Sequence, residues 1–179
     1  GNLETMTNCR LGASHNPLVF AIRCAMPQYI PGLMPTLLNI GVTRQAYEAL
    51  REMYADAMAN RVYLSTLHTM AEMLGIEHRY TTSDISLNTK AQEMRIAELE
   101  RRIGKSDGRL LTDAHYQALQ LALHVRNFYV DNSDLILTFM QGKQAFPSLI
   151  LQRMVWTIGN NESYPGVLYS RHSRTGTGK

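Results

Sequence analysis

At 179 residues with 45% hydrophobic side chains, the chain is long enough to bury one core, and it reads as a single domain. The net charge of +3 tolerates a nucleic-acid or acidic partner without requiring one, and no long Lys/Arg block is present. The longest apolar run is about five residues against the ~20 that span a bilayer, and no signal peptide is seen. These observations lead us to expect an intracellular, cytoplasmic protein with no membrane partner.

Residues 1 to 16 lack periodicity and read as an extended N-terminal arm. Pro17 opens a short expected helix over residues 17 to 26, with Leu18, Ile22 and Ala25 on one face and Arg23 outside it. The two cysteines, Cys9 and Cys24, have no CxxC spacing, so neither a thiolate metal site nor a disulfide framework is expected. Cys24 lies in the apolar run PLVFAIRCAM and reads as a buried, inert thiol. Pro27, Pro31 and Pro35 then impose an irregular path, with one helical turn over residues 36 to 40 ending on Gly41.

Thr43 is an N-cap for the cleanest amphipathic segment of the chain. Ala46, Tyr47, Leu50, Met53, Tyr54, Ala57 and Met58 share a face opposite Glu48, Arg51, Glu52 and Asp56. Asn60-Arg61 marks a bend or a polar turn, and helix resumes over residues 62 to 74 until Gly75 ends it. Residues 76 to 88 read as a loop with a short extended piece at residues 78 to 81. A charged helix with a narrow apolar seam (Ile96, Leu99, Ile103) spans residues 89 to 103.

Residues 112 to 130 read as the central helix, apolar on two sides. Ala114, Ala118, Leu121, Ala122, Val125, Phe128 and Tyr129 form one face, and Tyr116, Leu119, Leu123 and Val130 the other. Asn132 or Ser133 caps a short helix over residues 134 to 141, closed by Gly142. Pro147 opens a last helix, nearly apolar all round, closed by Gly159. Residues 160 to 179 form a basic tail. No strand-period segment exceeds four residues, so the expected fold is all-α. It comprises one compact domain of about six helices (residues 17 to 159) between two arms.

The search for chemistry yields little. His68 and Glu72 lie four apart on one helix and could share a metal, but the second histidine of a zinc-protease helix is absent. His115 and His124 are about 900° apart around their helix and cannot converge on one ion. Asp131-Asn132-Ser133-Asp134 lacks the glycine and glutamate of a calcium loop. The terminal GTGK has no strand before it or helix after it, and so is not a phosphate loop. No catalytic residue, metal, cofactor or small-molecule substrate is expected.

The reading is therefore a non-enzymatic helical assembly protein, self-associating or bound to a protein partner, with Met154 and Trp156 as interface candidates. The ten methionines suit adaptable contact surfaces. The alternative is a nucleic-acid-binding or coat protein touching phosphates through Arg101, Arg102, Lys105 and Arg109 and through Tyr169, Arg171 and Arg174 of the tail. A second alternative is a metal-dependent enzyme using His68 and Glu72.

Overall fold

Phe20, Ile22 and Cys24 alternate with Ala21, Arg23 and Ala25, and that period of two lets the segment form a strand as well as the helix expected there. In the computed structural model, which describes residues 2–26, 34–77, 88–144 and 146–155, it is a strand, β1 (Phe20–Ala25). β1 is the middle of an antiparallel sheet between β2 (Leu37–Ile40) and β3 (Ser148–Arg153), in the order β2-β1-β3. The fold is thus mixed, with helices dominant, and the all-α expectation is corrected. Each strand replaces a segment read as helical, at residues 17 to 26, 36 to 40 and after Pro147. Pro147 suits the lead-in to a strand as well as the first turn of a helix.

β1 and β3 pair in continuous register, from Phe20 opposite Arg153 to Ala25 opposite Ser148. Phe20 opposes Ile40 and Ile22 opposes Leu37, so β2 carries one extra residue within the same span. The irregularity includes Asn39, at φ 58°. It turns both Leu37 and Ile40 toward the core, where both are buried. Asn39 O accepts the Thr66 hydroxyl at 2.8 Å, which ties the bulge to a helix.

The helices are α1 (Asn2–Thr7), α2 (Arg44–Met53), α3 (Asp56–Met73), α4 (Thr89–Asp107), α5 (Ala114–Asp131) and α6 (Ser133–Phe139), with a 3-10 turn at Gly108–Leu111. Thr43 Oγ1 accepts Ala46 N–H at 3.3 Å, the cap expected there. The helix it opens ends at Met53, with Tyr54 and Ala55 forming the break, earlier than Asn60-Arg61. Residues 1 to 16 are not simply extended: α1 lies there, Cys9 is buried, and Arg10 bridges to Pro17. Cys24 is only half-buried, and desolvation raises its thiol pKa.

The helix at the centre is α3 rather than the one after Thr112. α3 buries a broad face, with Ala59, Asn60, Val62, Tyr63, Leu64, Leu67, His68 and Met70 in it and Arg61 and Glu72 left outside, and packs on α2, α4 and β2. α5 buries one stripe, Ala114, Gln117, Leu121 and Val125, while Leu119 and Val130 of its expected second face are more than half exposed. Leu121 and Val125 join Phe20, Ile22, Leu37 and Ile40 in a second cluster beneath the sheet. Each such side chain contributes about 1.5–3 kcal/mol by leaving water.

Several polar groups inside the helical layer are paired. Tyr47 and Tyr63 stack at 4.5 Å. The Tyr47 hydroxyl donates to Asn60 at 2.6 Å, and the Tyr63 hydroxyl donates at 2.6 Å to Glu100, which also receives Arg44 at 2.8 Å. Among the described residues, no helix is long and apolar enough to cross a membrane.

Candidate functional site on the open face of the sheet

Directly opposed residues of an antiparallel pair point to the same side. Phe20, Ile22 and Leu37 therefore turn toward the helices, and Ala21, Arg23, Leu38, Ile150 and Gln152 turn the other way. On that outer side Arg23, Leu38, Ile150 and Gln152 are exposed. Arg23 stands mid-strand among small and apolar neighbours, and its Nη1 donates to Gln152 Oε1 at 3.3 Å.

Arg23, Thr36, Leu38, Gln152 and Arg153 help to line a cleft of about 440 Å³ over this face. No carboxylate lines it, and neither Arg23 nor Arg153 forms an ion pair among the described residues. Several other arginines are matched, Arg44 to Glu100, Arg51 to Asp56, Arg95 to Glu98 and Arg109 to Asp113. A concave surface with one uncompensated guanidinium, that of Arg23, and neutral hydrogen-bonding side chains suits an anion, because guanidinium forks match phosphate or carboxylate oxygens.

The residues singled out from sequence lie elsewhere. Arg102 reaches Glu98 at 3.8 Å, and Arg109 pairs with Asp113 at 2.9 Å while lying 4.4 Å over the Tyr116 ring. Arg101 and Lys105 are exposed. Tyr169, Arg171, Arg174 and Trp156 lie outside the described residues, as do residues 78 to 81. Met154 packs partly against the main core, and its N–H donates to Val19 O at 2.9 Å. His68 is buried in α3 and Glu72 is exposed. Among the described residues, no three His, Cys, Asp or Glu side chains are grouped to hold a metal.

Arg23 was missed as a site residue because a helical reading sets it harmlessly on the outer side of an amphipathic turn. The available signal was a lone cation inside an alternating apolar run.

No protein-family model matches the chain. It is similar to the pyruvate, phosphate dikinases of Rickettsia bellii, 24% identical over 196 residues, and of Rickettsia prowazekii, 26% identical over 201 residues. That of Rickettsia conorii is 23% identical over 194 residues. Each alignment covers 99% of this chain and 22% of the relative, so the chain spans about a fifth of the length of the curated relatives it matches. The likeness is therefore to part of an enzyme, where the sequence alone pointed to a non-enzymatic protein.

Proposed function

We propose that this chain is a segment of a phosphoryl-transferring enzyme of the pyruvate, phosphate dikinase kind, and that its sheet cleft receives a phosphate-bearing ligand. The observation that carries the reading is Arg23, which among the described residues has no ion-pair partner and lies in a cleft lined by no carboxylate. The similarity over 99% of the chain to enzymes named for phosphate supports it. Arg23 supplies charge and a donor fork, and Gln152 orients the Arg23 guanidinium.

Titration calorimetry with inorganic pyrophosphate tests this. Arg23→Ala weakens binding about ten-fold or more, the loss expected for a charge-assisted hydrogen bond. Binding by Arg23→Ala equal to that of the unsubstituted chain defeats the reading.

A second reading keeps the chain as a self-associating interaction protein. It is favoured by Leu135, Leu137, Phe139, Phe146, Leu149 and Leu151, apolar side chains that are each more than 40% exposed. Its test is the mass in solution: a concentration-dependent dimer reduced by Phe139→Ser supports it, and a monomer at every concentration ends it.

A further inference from the structure

A second cleft, of about 800 Å³, opens between α1, the loop that follows it and the first turn of α5, and it shares no lining residue with the sheet cleft. Its wall brings together Arg10, His15 and His115, which are distant in sequence. Arg10 is exposed and, unlike most helical arginines, has no ion-pair partner among the described residues. Among the described residues one carboxylate lines the cleft, Glu4, and its Oε1 accepts the Leu11 N–H at 2.9 Å. The His115 ring makes no side-chain hydrogen bond among the described residues, while His15 Nδ1 lies 3.0 Å from Ser14 Oγ and leaves its other nitrogen uncommitted.

The loop forming the rim is fixed. Asn8 and Asn16 both hold left-handed backbone, at φ 52° and 48°, and the Asn16 amide donates to Asn8 O at 2.7 Å. Such backbone is costly for a side chain other than glycine, and it concentrates where a surface must keep a set shape.

We propose that this cleft binds a small phosphorylated polar molecule, with its phosphate on Arg10 and His115 and its body along the asparagine rim. A guanidinium and imidazoles give donors from separate directions, which suits a tetrahedral oxyanion. The volume far exceeds that of a lone phosphate, and the amides of the rim with Thr5 match hydroxyl groups. Glu4 opposes an anion, so the charge of Arg10 has to outweigh it, and removing that arginine is the decisive change. The inference does not rest on the sheet cleft.

The test is NMR titration of the isotope-labelled chain with ribose 5-phosphate, inorganic phosphate and ribose. Ribose 5-phosphate moves the His115 and His15 ring signals saturably, inorganic phosphate does so about ten-fold more weakly, and ribose leaves them in place. Arg10→Ala and His115→Ala each weaken ribose 5-phosphate binding about ten-fold with an unchanged melting temperature, and Arg23→Ala has no effect on these signals. The proposal is overturned if the shifts grow linearly without saturation, if ribose alone reproduces them, or if inorganic phosphate binds as tightly as the sugar phosphate. It is overturned equally if Arg10→Ala binds as the unsubstituted chain does.

Discussion

The side-chain oxygen of Gln117 accepts the backbone N–H of Gly41 at 2.8 Å, joining α5 to the end of β2 across 76 residues of sequence. The amide nitrogen of the same side chain donates to Leu110 O at 2.9 Å and to Val42 O at 3.3 Å. Gln117 is fully buried, so one side chain satisfies three main-chain groups in two buried segments, Gly41-Val42 and Leu110.

Gln117→Leu keeps the volume and removes every partner. It leaves one N–H and two carbonyls without this side chain, and it is expected to cost about 2 kcal/mol or more in urea unfolding. Glu52→Ala, on the exposed side of α2, is expected to stay within about 0.5 kcal/mol. Equal effects from the two substitutions contradict the hydrogen-bonding role.

Gly41 has φ +96°, and a Cβ there would sit 2.6 Å from Leu11 Cδ1 and 2.7 Å from Leu18 O. Gly41→Ala is therefore expected to destabilise by about 2 kcal/mol or more, since strain and a backbone clash act together. Gly75 has φ +64° but meets nothing within 4 Å. Gly75→Ala is expected to cost only about 1 kcal/mol. Thermal unfolding of the two variants separates conformation from crowding, and a larger loss at Gly75 refutes the clash.

Asp113 caps α5, accepting the N–H groups of His115 and Tyr116, each at 3.0 Å. Its carboxyl pKa lies below the usual range, first through the Tyr116 N–H and next through Arg109. A depressed folded-state pKa means that the ionised cap stabilises fully above the ordinary Asp value and that this support is lost as pH falls through the depressed value. Melting temperatures followed from pH 7 down to about 3 should converge for Asp113→Ala and the unsubstituted chain at the acid end. A constant difference across that range rules the linkage out.

At the alkaline end the tyrosine pair acts in the opposite sense. Burial raises the Tyr47 hydroxyl to about 12 and lifts Tyr63 further, with Glu100 adding to the second shift. Raised folded-state values give stability that is present below the ordinary tyrosine range and lost as pH climbs through them. Tyr63→Phe should thus be least stable relative to the parent near neutral pH, where the Glu100 hydrogen bond is missing, and the gap should narrow above about pH 10. Absorbance titration near 295 nm supplies the check: a tyrosine that ionises late in the parent and is absent from the variant is Tyr63.

Local chemistry wrote much of the helical half plainly. Thr43 caps α2, Gly75 follows α3 with positive φ, and Ile96, Leu99 and Ile103 form the buried seam of α4. The sheet was not legible, for three separate reasons. FAIRCA satisfies periods of both two and 3.6, the four residues of β2 are too few to set a period, and Pro147 is compatible with either outcome. What decides between them is pairing, and the Arg23–Gln152 contact joins residues 129 apart. The candidate site inherits the same difficulty. Arg23 becomes notable only when a strand carries it to a cleft with Arg153, whereas the conspicuous cations at Arg102 and Arg109 prove to be neutralised within their own helices or turns.

The pairing of β1 with β3 also fixes an order of events. During synthesis β1 emerges before β2 and pairs with it locally, but its other edge stays bare until the chain has grown by more than a hundred residues beyond it. Closing so long a loop carries an entropic cost that local helix formation does not meet. The helical layer should therefore assemble first and serve as the template on which the last strand docks. In the interval, the exposed edge of β1 is the part of the nascent protein most open to capture by a chaperone or by a neighbouring chain.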